Sequence, residues 1–164
     1  MSAAGPPQGA RPPFGGRSRS DLGGAMTRRH VTHFRVEFGD CDPAQIVFYP
    51  NFFRWMDAAS LQFFVACGMP PWRELAQSDG IIGTPIVDVS AKFLRPGTYG
   101  DTIEIETSIA EWRDTSFVMN HLIRRGTDVL VDGREIRIFA QPHPDDPKRI
   151  RAVHLPDHLR KLLE

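Results

Sequence analysis

The segment at residues 49–68 limits the fold of this chain more than any other stretch. It opens with Tyr49-Pro50-Asn51, where a proline in the first turn and a nearby asparagine mark the start of a helix, and it ends at Gly68. Its large apolar residues cover more than one helical face: Phe52, Phe53, Trp55, Met56, Ala59, Phe63 and Phe64. A helix this apolar must be surrounded by other elements.

Downstream of the helix, the sequence changes to runs in which β-branched and polar residues alternate. Four such runs, at residues 86–94, 101–112, 115–125 and 128–141, predict consecutive antiparallel strands in a meander. Residues 31–37 predict a first strand, 72–78 a short helix, and the segment from Leu155 a C-terminal helix. The economical packing is an α+β domain in which a curved antiparallel sheet of about five strands folds around the long helix.

One of these runs contains Asp132-Gly133, a pair that is typical of hairpin turns. Dividing the run there leaves two pieces that are too short to pair usefully. We therefore predict one long strand, in which Gly133 is a bulge that bends it.

The first 29 residues differ from the rest of the chain. They are dense in Gly, Pro, Ser and Arg and have no periodic apolar residues, so they predict a disordered N-terminal extension before a single domain at 30–164. No apolar segment typical of a secretory signal follows Met1, and the helix breakers disfavour a transit peptide. No apolar run is long enough to span a membrane, so we expect a cytoplasmic protein.

Charge and cysteine content exclude several classes of function. Residues 1–29 carry five arginines against Asp21, so in a chain of zero formal charge the domain has a net charge of −4. A mildly acidic domain is not expected to bind nucleic acid. The only cysteines, Cys41 and Cys67, are too few for a disulfide framework and lack metal-site spacing.

The loop before the long helix carries two carboxylates, Asp40 and Asp42, beside Pro43. Free N–H groups at a helix start can stabilise negative charge that develops on a carbonyl oxygen, while a nearby carboxylate attacks the carbon or activates a water molecule. This arrangement is suited to acyl transfer. The alternative is that Asp42 and Pro43 only cap the helix.

Five stretches together resemble the 4-hydroxybenzoyl-CoA thioesterase family of hotdog-fold enzymes, in the branch with an aspartate nucleophile. They are FGDCDPAQIVFYPNFFRWMDAAS at 38–60, CGMPPW at 67–72, GTPIV at 83–87, EWRDTSFV at 111–118 and REIRIFA at 134–140. The resemblance implies hydrolysis of 4-hydroxybenzoyl-CoA, or a related aryl-CoA, to the free aromatic acid and CoA, within aromatic compound catabolism. It also implies a homo-oligomer, a dimer or tetramer, that needs no cofactor, since CoA is part of the substrate.

The resemblance assigns the reacting groups by position in the motif. Asp42 is the expected nucleophile or general base, and both roles remain open. Tyr49 is expected to donate its backbone N–H to the oxyanion, although its ring could simply be part of the core. Asp40 is expected to bind backbone amides of the loop.

The resemblance also assigns substrate contacts. Asp57 is expected to receive the phenol hydroxyl; the alternatives are that it points outward or pairs with Arg54 one turn back. Trp72, Thr84 and the aromatic residues around Phe48 are expected to line the acyl pocket; the alternative is that they are only part of the core. Arg113 and Ser116 match positions that bind CoA.

Two departures from the family pattern affect substrate recognition. Gln45 stands where the family has glycine, which can reshape the site or orient the attacking water. Asp114-Thr115 replaces a basic pair, so Lys148, Arg149 and Arg151 are alternative phosphate ligands unless they form a solvated loop. The alternative functions are a broad-specificity acyl-CoA thioesterase and a non-catalytic acyl-CoA-binding domain.

Other chemistries find little support. Cys41 lies between two aspartates, which oppose the thiolate that a cysteine nucleophile needs. The pairs His30/His33 and His154/His158 each lack a third metal ligand, so no metal is expected.

Overall fold

The computed structural model of this protein describes residues 28–164. The predicted disordered extension therefore lies outside the described residues, except for Arg28 and Arg29. The elements in chain order are β1 (Arg29–Arg35), α1 (Pro50–Ala66), α2 (Trp72–Ser78), β2 (Ile86–Phe93), β3 (Thr102–Trp112), β4 (Ser116–Arg125), β5 (Asp128–His143), β6 (Asp146–Val153) and α3 (Asp157–Leu163). The predicted α+β class, with a long central helix on an antiparallel sheet, is confirmed.

The sheet has six strands in the order β1-β3-β4-β5-β2, with β6 added to the C-terminal part of β5. Strands β3, β4 and β5 form the predicted meander. The prediction is wrong for β2, which pairs with β5 and lies at an edge. Hydrogen bonds in the connection after β2 explain this pairing. The N–H of Leu94 donates to the carbonyl of Leu130 on β5, and the carbonyl of Gly97 accepts from the N–H of Val47. The chain is therefore held away from β3 and does not form a tight turn between β2 and β3.

Strand β6 was not predicted, and it changes the interpretation of three basic residues. Lys148, Arg149 and Arg151 belong to this strand, so the expectation of a solvated loop is wrong. The guanidinium of Arg151 donates to Oε1 of Gln141 on β5 at 2.9 Å.

Helix α1 buries its apolar residues against one face of the sheet in two clusters. Near its N-terminus, Phe52, Trp55 and Met56 pack with residues of β3, β4 and β5. Near its C-terminus, Phe63 and Phe64 pack with other residues of the same strands and with α2 and α3. The period-two burial of β3, β4 and β5 supplies the facing side chains.

Gly133 has a different role from the one predicted. It pairs in register with His121 on one side and Ala91 on the other, so it is not a bulge. A Cβ at this position would lie 2.6 Å from Sδ of the buried Met56. Gly133 therefore lets α1 approach β5 closely within one continuous strand.

No helix among residues 28–164 is long and apolar enough to cross a membrane.

Candidate active site

The loop before α1 is held to the helix through Asp40. Its Oδ2 accepts from the backbone N–H of Glu37 at 2.9 Å, and its Oδ1 lies 3.3 Å from the guanidinium of Arg54. Its carbonyl accepts from the N–H of Phe48 and from the side-chain amide of Asn51. Asp40 is thus the loop-binding residue that the sequence predicts.

Asp42 lies in a tight turn that is closed by pairing between Cys41 and Val47. The N–H of Asp42 donates to the carbonyl of Ile46 at 2.9 Å, and its own Oδ1 accepts from the N–H of Ala44 at 2.8 Å. The side chain is half-buried, and its Oδ2 makes no hydrogen bond within residues 28–164. A carboxylate held by one oxygen keeps the other available for a reaction.

Tyr49 lies at the N-terminus of α1, where it is followed by Pro50. Its side chain is 58% exposed and packs edge-on against Phe48, Phe53 and Phe93, so the alternative of a core ring is wrong. In the described part of the chain its backbone N–H has no acceptor. Such an N–H is suited to binding an oxyanion.

Three predicted substrate residues meet in one open cleft of about 450 Å³. Asp57, Trp72 and Thr84 all line it, and its other walls are Arg54, Ala58, Leu61, Phe64 and Arg137. Phe48 does not line this cleft, and packs at the helix start instead.

Asp57 is paired, but with a residue that the sequence interpretation missed. Its Oδ1 lies 2.6 Å from Nη2 of Arg137, whose side chain is almost fully buried, while the Asp57 side chain is 62% exposed. The proposed partner Arg54 binds Asp40 instead. Asp57 therefore reaches into the cleft with one oxygen bound and the other unengaged within residues 28–164.

Arg137 is itself held by the buried Glu135, whose Oε2 lies 2.8 Å from Nε of Arg137. Burial alone would raise the pKa of Glu135, but hydrogen bonds from His121 and Arg137 outweigh it and lower the pKa to about 2. Glu135 is therefore an anion at neutral pH. The same carboxylate raises the pKa of Arg137 against the effect of burial.

The sequence contains a signal for these missed residues. In β5, Glu135 and Arg137 are in phase with the buried Val131 and Phe139, so the period-two pattern places two charges on the core face. Charges in that position need partners. The period-two pattern could therefore have identified Glu135 and Arg137 as a buried ion pair.

Arg113 and Ser116 lie apart from the cleft, in a separate pocket of about 150 Å³ at the β3–β4 turn. The guanidinium of Arg113 donates to both oxygens of Glu111, at 2.8 and 3.2 Å. Asp114 and Thr115 line the same pocket. The cationic group predicted to bind CoA is therefore already paired with a carboxylate.

The predicted reacting groups lie apart from the cleft. Asp42 is in the loop before α1 and Tyr49 is at the N-terminus of this helix, and neither lines the cleft; Asp57 is seven residues beyond Pro50, about 10 Å along the helix axis. No cluster of three or more His, Cys, Asp or Glu side chains suited to a metal ion occurs within residues 28–164. Both cysteines are free, and burial raises the pKa of the Cys67 thiol.

Comparison with known proteins places this arrangement in a family. The model of the thioesterase-like superfamily matches residues 36–163. The 4-hydroxybenzoyl-CoA thioesterase of Pseudomonas sp. (strain CBS-3) is 46% identical over 136 residues, which are 80% of this chain and 94% of that protein. The chain belongs to the 4-hydroxybenzoyl-CoA thioesterase family. The predicted hotdog fold is thereby confirmed. The protein is a thioester hydrolase, as the sequence predicted.

Solved structures of thioesterases agree with this assignment. A crystal structure of 4-hydroxybenzoyl-CoA thioesterase, an aspartate-to-asparagine mutant in complex with 4-hydroxybenzoyl-CoA, is 44% identical with a TM-score of 0.77, and the match covers 84% of this chain and 99% of that chain. A gentisyl-coenzyme A thioesterase is 37% identical with a TM-score of 0.69, over 80% of this chain and 99% of that chain.

Proposed function

We propose that this thioesterase hydrolyses 4-hydroxybenzoyl-CoA, or a closely related hydroxylated aryl-CoA, to the free aromatic acid and CoA. The observation that carries the proposal is the half-buried carboxylate of Asp42, which is held by one oxygen in the loop that leads into α1. The activity of the Pseudomonas relative, at 46% identity, supports the choice of substrate.

Asp42 has two routes to the same products. As a nucleophile, its carboxylate attacks the thioester carbon, the C–S bond breaks, CoA leaves as the thiolate, and water then hydrolyses the acyl–Asp42 anhydride. As a general base, it takes a proton from water, which attacks the carbon directly. Either route consumes one water, and in either the Tyr49 N–H would stabilise the oxyanion.

The cleft with Asp57, Trp72 and Thr84 is the proposed acyl site, and Arg113 and Ser116 the proposed contacts for CoA. The free oxygen of Asp57 can accept a hydrogen bond from a ring hydroxyl. A second candidate substrate is a dihydroxybenzoyl-CoA, because the gentisyl-coenzyme A thioesterase is also similar and Gln45 alters the loop beside Asp42.

The remaining parts of the proposal concern the oligomeric state, the cellular compartment and the metabolic role. We propose a homodimer, assembled further into a homotetramer, because the edge strand β2 is exposed and because Asp42 and the cleft do not share walls within one chain. The free cysteines favour a reducing compartment such as the cytoplasm, and the substrate favours a role in aromatic compound catabolism. The carboxylate chemistry requires no cofactor.

The decisive experiment is Asp42→Asn. The amide is nearly isosteric but is a poor nucleophile and base, so we expect the fold and ligand binding to remain while thiol release falls by about 10³-fold or more. Release is followed with a thiol reagent, and Asp132→Asn, at an exposed position on β5, is the matched control. Turnover by Asp42→Asn close to that of wild type would refute the assignment, and a wild-type protein that binds but releases no thiol would indicate a non-catalytic domain.

A further inference from the structure

Six polar side chains form a continuous row through the middle of the core, between the two apolar clusters on α1. They come from three neighbouring strands and from the helix that covers them, and we refer to them as the polar row: Thr107, His121, Glu135, Arg137, Ser60 and Asp57. Thr107, His121, Glu135 and Ser60 are fully buried. The row begins beneath β3 and ends at the cleft.

Glu135 is the centre of this row. Its Oε2 accepts from the hydroxyl of Ser60 at 2.9 Å and from Nε of Arg137 at 2.8 Å, and it lies 3.1 Å from Nε2 of His121. Nδ1 of His121 lies 3.0 Å from the hydroxyl of Thr107. Three hydrogen-bonding groups therefore converge on one carboxylate oxygen, which fixes its position.

The row is not a hydrolytic triad. The Ser60 hydroxyl and Glu135 both face the same imidazole nitrogen, Nε2, whereas a triad places nucleophile and acid on opposite nitrogens. Ser60 is also inaccessible to any ligand. A role for the row must therefore be transmitted through Arg137, its one member that is both buried and in the cleft wall.

Arg137 is held in three directions. Its Nε binds Glu135, its Nη1 donates to the carbonyl of Thr84 at 2.9 Å, and its Nη2 binds Oδ1 of Asp57 at 2.6 Å. The planar guanidinium thus has one orientation, and it fixes two residues of the acyl cleft. Oδ2 of Asp57 is left to face a ligand.

Stability alone is a weak reason for such a row. A buried ion pair is often no more stabilising than apolar side chains of the same volume, because both ions lose their hydration. The chain nevertheless has apolar clusters on both sides of the row. What the row supplies, and apolar residues would not, is a fixed cation beneath Asp57.

We propose that Glu135 is a positioning residue for acyl-group selection: through Arg137 it holds Asp57 ready to accept the hydroxyl of a hydroxylated aryl-CoA. This inference rests on the proposed function, since it concerns the acyl group of the same site. Glu135 touches no ligand; it keeps the acceptor in place, which confers a preference for a ring that bears a hydroxyl.

The test is the hydroxyl preference, the ratio of kcat/KM for 4-hydroxybenzoyl-CoA to that for benzoyl-CoA. In the wild type we expect a ratio of about 10 to 100, the range for a hydrogen bond to a charged acceptor. Glu135→Gln should lower the ratio about fivefold or more, because a neutral amide oxygen holds the Arg137 cation less firmly than the carboxylate does. Thr107→Val is the matched control, since Thr107 is equally buried in the row but its hydroxyl bonds His121 and not Glu135 or Arg137, and its ratio should stay at the wild-type value.

A double variant separates positioning from a general loss of stability. On the Asp57→Ala background, Glu135→Gln should leave the hydroxyl preference unchanged, because the residue through which it acts is gone. If Glu135→Gln does not fold, Ser60→Ala replaces it, since it removes one donor to Glu135 but no charge, and should lower the ratio about threefold.

The outcomes are distinct. A selective wild type whose ratio falls in Glu135→Gln and not in Thr107→Val supports the inference. A selective wild type whose ratio persists in a folded Glu135→Gln or Ser60→Ala variant overturns it and leaves the proposed function intact. A wild-type ratio near one overturns the inference together with the proposed acyl group, while hydrolysis that depends on Asp42 stands separately.

Discussion

Gln45 is the non-glycine residue with a positive φ, 64°, among residues 28–164. It completes the turn that holds Asp42, since its N–H donates to the Asp42 carbonyl at 2.8 Å. A side chain in this left-handed conformation is disfavoured by about 1 kcal/mol or more because Cβ approaches the neighbouring carbonyl. Glycine avoids that contact, so the chain accepts strain in the turn that holds Asp42, the proposed reacting carboxylate.

We therefore expect Gln45→Gly to raise the free energy of unfolding by about 0.5 kcal/mol, since the relief of strain exceeds the greater entropy that glycine loses on folding. The measurement is urea unfolding, with Ala44→Gly as the control, because Ala44 has no positive φ to relieve and should lose stability. A Gln45→Gly variant less stable than wild type would show that the Gln45 side chain stabilises the loop.

At the scale of elements, the close contact between α1 and β5 depends on Gly133. The position is buried, and Sδ and Cε of Met56 occupy the space that a side chain would need, at 2.6 and 2.8 Å from a Cβ. The end of a methionine can move, but Met56 is fully buried and has to displace other core atoms when it does.

Gly133→Ala is accordingly expected to lower the free energy of unfolding by about 1 to 2 kcal/mol through overpacking. Met56→Leu should recover part of this loss, because leucine has a similar volume but does not extend as far towards β5. Thermal or urea unfolding of both single variants and the double variant checks the coupling. If the loss of stability in the double variant equals the sum of the losses in the two single variants, Met56 is not the residue that Gly133 accommodates.

Local pattern was sufficient for α1 and α2, because their limits are marked by proline, glycine and the change of period. It failed for the partner of β2, since strand pairing depends on where the connection after Phe93 is bonded. It failed also for β6, whose first residues, Asp146 and Pro147, are typical of a turn. Asp42 and Asp57 were singled out by the motif, while the Arg137 contact required the fold, because residues 57 and 137 meet only where α1 packs on β5.

At the scale of the whole molecule, an exposed apolar surface lies along the edge strand β2. Val87 and Val89 are 57% and 40% exposed, and Phe93, in phase with Val89, packs with the exposed Tyr49 at the start of α1. An exposed edge strand with apolar residues is a surface for pairing with another chain. At one end of this strand Phe93 packs against Tyr49, and at the other Ile86 pairs with Arg137 of the cleft, so β2 runs past both the start of α1 and the cleft.

We expect a second copy of this chain to pair with that surface, so light scattering should show a dimer or larger assembly. The double substitution Val87→Lys/Val89→Lys places two charges in the interface and should yield a monomer with at least about 10-fold lower kcat/KM. Ser90→Lys is the matched control, because it adds charge to the same strand on the opposite face and should keep both assembly and turnover. Circular dichroism establishes that each variant is folded. A folded monomer with wild-type turnover would show that one chain contains the complete site, in which case Asp42 and the cleft must come together by movement of the loop before α1.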